Sequence, residues 1–152
     1  MIMNIYFICT GNTCRSPMAE AILKNKKLKN VEVRSAGIYA LEGGQMSENS
    51  SVILDQENII HHHVTRQVNS EDVAWADLIL TMTTGHKEMV IRNFEGAYGK
   101  TYTLKEYTTP YGAGDVFDPF GGDVTLYKQT FDELNRAIDE LEEKIVMEEK
   151  TE

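Results

Sequence analysis

The chain has 152 residues, 41% hydrophobic and 26% charged, a balance that suits one soluble domain, taken as residues 1–152, with a sizeable core. Its 24 acidic against 15 basic residues give a formal net charge of -9, which disfavours nucleic acid and anionic membrane as partners but not a small anion held by local geometry. No apolar run is long enough to span a bilayer, the start MIMNIYFI lacks secretory character, and two cysteines cannot build a disulfide framework. A cytoplasmic protein is therefore expected, monomeric in the absence of an obvious assembly motif.

Residues 3–8, rich in isoleucine and aromatics, predict a buried strand. Ser16–Pro17 then suits a helix start, with serine as cap and proline in the first turn, and Met18, Ala19, Ile22 and Leu23 give the helix an apolar face to about residue 27. Residues 31–33 predict a second strand, closed by a small-residue turn at Ser35–Ala36–Gly37. Gly43–Gly44 marks a loop, and residues 47–57 a helix. Asn69–Ser70 precedes a short helix, followed by an apolar strand at residues 76–82, a helix at 84–94 and a fourth strand at 101–104. Residues 108–123 read as a long loop with prolines and glycines. Phe131, Leu134, Ile138, Leu141 and Ile145 follow the stripe of a long final helix. Strands alternating with helices predict an α/β fold: a four-stranded parallel sheet with helices on both faces and a ligand site beyond the strand C-terminal ends.

The turn after the first strand, CTGNTCRS, is the feature richest in chemistry. A loop from Cys9 to Arg15 can curl its backbone N–H groups (Thr10, Gly11, Asn12, Thr13, Cys14) around an anion at the positive end of the next helix. Arg15 adds a bidentate fork for phosphoryl oxygens, and the same field favours the thiolate of Cys9, the form that attacks phosphorus. Gly11 permits tight backbone geometry, and Asn12 suits an unusual turn conformation. The plainer reading is a capped loop around a buried cysteine. A Walker loop is a poor match because the lysine followed by Ser or Thr is absent, and a zinc site is poorly supported because no second Cys or His group lies nearby. Cys9 and Cys14 could also pair in a reversible disulfide, with Cys14 as redox partner. A phosphocysteine route needs a proton donor and then a base, for which Asp118 is the candidate and Asp115 its competitor. Asp118 also suits a simple Asx turn before Pro119.

Together, CTGNTCRSPMAE, VRSAG at residues 33–37, ADLILTM at 76–82, TLKEY at 103–107 and DPFGG at 118–122 resemble the low-molecular-weight protein tyrosine phosphatase family, in particular its protein arginine phosphatase branch. The resemblance implies Cys9 as nucleophile, Arg15 as phosphate clamp, and Asp118 as general acid and then base. It implies that Asn12, Ser16 and Ser35 hold the loop and stabilise the thiolate, and that His63 in HVTRQ joins them. Each has a plainer alternative: Ser16 as helix cap, Ser35 in a turn, His63 as a structural hydrogen-bonder. The neighbouring His61 and His62 are not assigned to a metal, since three adjacent side chains splay apart.

Substrate choice rests on three residues. Tyrosine phosphatases of the family carry an aromatic pair after the Asp-Pro, where this chain has Phe120–Gly121. Thr13 resembles the arginine branch, although a threonine there can equally cap a local amide. Tyr39 is expected to line the entrance and stack on a guanidinium. The resemblance thus implies hydrolysis of phosphoarginine in phosphorylated proteins or peptides, without cofactor or metal. The alternatives are a low-molecular-weight tyrosine phosphatase and a non-enzymatic phosphate-binding or redox-sensing protein. An arsenate reductase is disfavoured because no cysteine follows Cys14 to relay a disulfide.

Overall fold

An apolar run such as Ile5–Tyr6–Phe7–Ile8 can bury both of its faces only in the middle of a sheet covered on two sides, and it lies there. The computed structural model describes residues 2–109 and 114–151, so residues 110–113 of the predicted long loop lie outside the described residues. Strands β1 (Met3–Cys9), β2 (Val31–Gly37), β3 (Leu78–Thr81) and β4 (Thr101–Thr103) form one parallel sheet in the order β2-β1-β3-β4. Six described helices connect and follow them: α1 (Arg15–Asn25), α2 (Glu48–Gln56), α3 (Ser70–Trp75), α4 (Thr84–Asn93), α5 (Leu104–Thr108) and α6 (Val124–Thr151).

Side-chain alternation along β1 divides the core. Ile5, Phe7 and Cys9 face α1, α2 and α6, where Met18, Ile22, Leu54, Leu134, Ile138 and Leu141 are buried. Tyr6 and Ile8 face the opposite layer with Val73 of α3 and Val90 of α4. The stripe predicted for the final helix is thus its buried face, and helices cover both sides of the sheet. Among the described residues, no helix is long and apolar enough to cross a membrane.

Four expectations need correction. The predicted turn at residues 35–37 is instead the end of β2, with Ser35, Ala36 and Gly37 paired to Phe7, Ile8 and Cys9. Small residues are needed there for packing: a Cβ on Gly37 would meet the carbonyl oxygen of Thr10 at 2.3 Å and the nitrogen of Asn12 at 2.8 Å. The third strand is shorter than expected, because Ala76 ends α3 and Asp77 binds the backbone N–H of Asn4 through its carboxylate at 2.8 Å. Helix α1 takes Cys14, not Ser16, as its N-cap, without a side-chain capping bond. Finally, α5 was not expected; Thr103 and Glu106 close a capping box at its start.

The chain leaves β1 toward β2 on one side and leaves β3 toward β4 on the other. The C-terminal ends of β1 and β3 therefore flank the crevice where connections diverge, the usual ligand position in open α/β sheets.

Candidate active site

Cys9 ends β1, and the loop that follows turns its carbonyls outward. Those of Cys9 and Thr10 accept from the N–H groups of Ile38 (3.0 Å) and Tyr39 (2.9 Å), and that of Thr13 from Ser47 (3.0 Å). The carbonyl of Asn12 accepts from His63 Nε2 at 2.8 Å, so that nitrogen carries the hydrogen. The N–H groups of residues 11–14 find no acceptor among the described residues. Carbonyls tied outward and free N–H groups at the start of α1 make a ready anion cradle. Gly11 is not the residue in the unusual conformation: Asn12 is, at φ 58, a left-handed value asparagine tolerates better than most.

Asn12 is completely buried and organises what lies beneath the cradle. Its Nδ2 donates to Ser16 Oγ (2.8 Å) and Ser35 Oγ (3.0 Å), while its Oδ1 accepts the N–H of Arg66 at 2.9 Å. Ser16 Oγ lies 2.8 Å from Cys9 Sγ and 3.4 Å from the Ala36 carbonyl. Asn12 donates to that hydroxyl, whose single hydrogen is left to the sulfur or the Ala36 carbonyl; the shorter contact is to the sulfur, a geometry that suits a thiolate. Ser35 passes its own hydrogen to Glu20 Oε1 at 2.6 Å, and His63 Nδ1 stands 3.8 Å from the same oxygen. Burial opposes the charge of Glu20, yet the nearby His63 ring and hydrogen bonds from Lys24 and Ser35 outweigh it and hold the carboxyl below its ordinary range.

Above the cradle is a cleft of about 210 Å³ lined by Cys9, Thr10, Gly11, Thr13, Cys14, Arg15, Asp118 and Phe120. The Arg15 guanidinium is buried and braced: Nη1 donates to the carbonyl of Val116 (3.1 Å), and Nη2 stands 3.4 Å from Thr10 Oγ1 and 3.5 Å from Asp118 Oδ2. Asp118 makes the expected Asx turn and still reaches the cleft. Its Oδ1 accepts the N–H of Phe120 at 3.0 Å as an Asx turn, and its other oxygen faces the cleft. The competitor Asp115 is engaged elsewhere, accepting from the N–H and hydroxyl of Thr84 at 2.9 and 3.3 Å. Tyr39, 71% exposed, does not line the cleft, whereas Phe120 stands at its rim. Thr13 caps no amide among the described residues; its hydroxyl lies 3.5 Å from Cys14 Sγ. Both cysteines are free thiols, and Cys14 also contacts the hydroxyls of Tyr127 (3.3 Å) and Ser47 (3.6 Å). His61 pairs with Asp55 at 3.0 Å, away from the cleft.

Residues 4–151 match the family model for low molecular weight phosphotyrosine protein phosphatases. The chain belongs to this family. Members are cysteine-dependent phosphatases, and the relatives refine the comparison. A protein-arginine-phosphatase of Geobacillus stearothermophilus is 46% identical over 145 residues, 95% of this chain and 97% of that protein. A solved arginine phosphatase from the same organism superimposes with a TM-score of 0.95 at 44% identity, covering 98% and 96% of the two chains. Another arginine phosphatase structure, a mutant with a phosphorylated active-site serine, gives a TM-score of 0.93 at 41% identity, covering 99% of this chain and all of that one. The low molecular weight protein-tyrosine-phosphatase PtpB of Staphylococcus haemolyticus is 41% identical, covering 91% of this chain and 97% of that protein.

Sequence reasoning missed three side chains around this phosphatase's site: Glu20, Tyr127 and His86, whose Nε2 lies 2.9 Å from Thr10 Oγ1. Glu20 lies one helical turn beyond Ser16, on the same face of α1, and that spacing was the available signal. Tyr127 sits at the start of α6, more than a hundred residues from its partner Cys14, and no local pattern announces it. Burial, and then Cys14, push its phenol up to about 12.

Proposed function

We propose that the protein is a protein arginine phosphatase that works through a phosphocysteine intermediate. The observation that carries this reading is the convergence of Cys9, Arg15 and Asp118 on one cleft that has Thr13 in its wall and, among the described residues, a single aromatic, Phe120, at its rim. A phosphoryl group in the cradle competes with Asp118 for Arg15 and frees the carboxyl for proton transfer. The Cys9 thiolate attacks phosphorus, the P–N bond breaks, and protonated Asp118 gives its proton to the departing guanidine nitrogen. Asp118, now a carboxylate, takes a proton from water as that water attacks phosphocysteine, releasing inorganic phosphate and restoring the thiolate. Asn12, Ser16, Ser35 and His63 hold the loop, and Thr13 and Phe120 shape the entrance.

The similarity to relatives named arginine phosphatases supports the substrate assignment. Tyrosine phosphatase activity is the second reading, favoured by the staphylococcal relative's name. The absence of a second aromatic beside Phe120 counts against it, since Gly121 cannot clamp a phenyl ring. The two free thiols suit a reducing compartment such as the cytoplasm, where Cys14 would serve as redox partner to Cys9. C9S separates catalysis from a protein that only binds phosphate or senses redox state. It is expected to abolish turnover of a phosphoarginine peptide while keeping the fold, and D118N to slow turnover by about 10²–10⁴-fold. Undiminished turnover in C9S rejects the covalent route, and full activity in D118N rejects the role given to Asp118.

A further inference from the structure

His86 has no part in the steps above, yet two portions of the site meet on it. It is the third residue of α4, only 5% exposed, and its Nε2 lies 2.9 Å from Thr10 Oγ1, the oxygen that also faces Arg15 Nη2. Its Nδ1 is buried without a hydrogen-bond partner among the described residues. An imidazole with an orphaned ring nitrogen is a poorer space-filler than leucine, so packing alone does not account for it. The turn that carries His86 also docks the loop of Asp118. The carbonyl of Met82 accepts from Val116 N–H at 2.8 Å, Thr84 holds the Asp115 carboxylate, and the carbonyl of Val116 accepts from Arg15 Nη1.

Hydrogen-bond bookkeeping selects a tautomer. Arg15 can only donate, so it fills one lone pair of Thr10 Oγ1. With the ring hydrogen on Nε2, His86 fills the other, and the buried Nδ1 is a bare lone pair. The opposite tautomer would bury an unpaired N–H, the rarer and costlier arrangement. With both lone pairs occupied, the hydroxyl hydrogen of Thr10 must point elsewhere, and Thr10 lines the cleft. Burial, and then the charge of Arg15, pull the pKa of His86 down to about 4, so the ring is neutral near pH 7.

We propose that His86 is a positioning residue for the phosphate clamp: through Thr10 it fixes the Arg15 guanidinium and turns the Thr10 hydroxyl into the cleft as a donor to a bound phosphoryl group. This rests on the reading of the loop as an anion cradle and not on which phosphoamino acid is the substrate. The test is calorimetric binding of inorganic phosphate to reduced wild-type protein and to H86L, H86Q, T10V and T10V/H86L, each checked for its melting transition. H86L and T10V are expected to weaken binding about tenfold, the double variant by no more than either, and H86Q, whose amide N–H reaches toward Thr10, by at most about threefold. Wild-type affinity in folded H86L overturns the proposal, as does a double variant whose loss is the product of the single losses. H86Q no better than H86L also overturns it, because packing would then be the role. Should H86L not fold, H86N, polar but too short to reach Thr10, takes its place with the same expected loss. Failure of phosphoarginine turnover in the wild type, with this binding pattern intact, would reject the substrate assignment alone.

Discussion

Asn12 is where backbone conformation, hydrogen bonding and the nucleophile's environment depend on one side chain. N12A removes the two bonds donated by Nδ2 and leaves the half-buried N–H of Arg66 without its acceptor. It also places alanine at φ 58. The two donated bonds contribute about 1 kcal/mol each and the orphaned N–H costs about 1–2 kcal/mol. The left-handed backbone adds about 1 kcal/mol, for a total loss of about 4–5 kcal/mol against the roughly 5–15 kcal/mol typical of a domain. In a protein of this size that lowers the melting temperature by about 10 °C. N12G loses the same bonds but tolerates the backbone, so it is expected about 1 kcal/mol milder than N12A. Urea denaturation of the reduced variants measures both differences. N12A within about 1 kcal/mol of wild type, or N12G less stable than N12A, refutes the reasoning.

S16A deletes the hydroxyl 2.8 Å from Cys9 Sγ and is expected to slow both alkylation of Cys9 by iodoacetamide at neutral pH and turnover by about tenfold; unchanged rates would show that Ser16 does not support the thiolate. G37A forces a Cβ to 2.3 Å from the Thr10 carbonyl, so the loop must shift; circular dichroism and phosphate binding should show a protein that is unfolded or folded without a working cradle, and a wild-type-like G37A contradicts the packing argument. His86 also sets a pH dependence. The unfolded chain takes up a proton near the ordinary value of 6.5, and the native protein only near 4. Between those values the unfolded state binds more protons. The stability tied to neutral His86 is therefore complete above about pH 6.5 and falls by about 2–3 kcal/mol as pH drops toward 4. Urea midpoints for wild type and H86Q at pH 7 and pH 4.5 should diverge on acidification, and parallel curves would refute the assignment.

The sheet was legible because β1 carries its burial pattern openly: only a central strand can hide Ile5, Tyr6, Phe7 and Ile8 at once. The final helix was legible for the same reason, its stripe being long enough to leave one period. Ser35–Ala36–Gly37 was misread because small residues signal a turn locally, whereas their size here answers a tertiary demand, the approach of the Thr10 carbonyl. Ser16 looked like a cap by position and instead places its hydroxyl 2.8 Å from Cys9 Sγ beneath the cradle. Within the site, the contiguous loop from Cys9 to Arg15 could be read directly, Asp118 followed from the need for a proton donor, and resemblance supplied Ser35 and His63 from distant segments. His86 and Tyr127 could not be found that way, since their partners Thr10 and Cys14 lie far away in sequence and one histidine or tyrosine on a helix carries no local signature.

The most direct test of the central claim is turnover of matched phosphoarginine and phosphotyrosine peptides by the reduced protein, read as the ratio of kcat/KM. The proposed function predicts strong preference for phosphoarginine, with Thr13 and Phe120 lining the cleft and Asp118 as the proposed donor to the departing nitrogen. Exclusive turnover of phosphotyrosine would contradict that account and return the chain to the tyrosine phosphatases of its family.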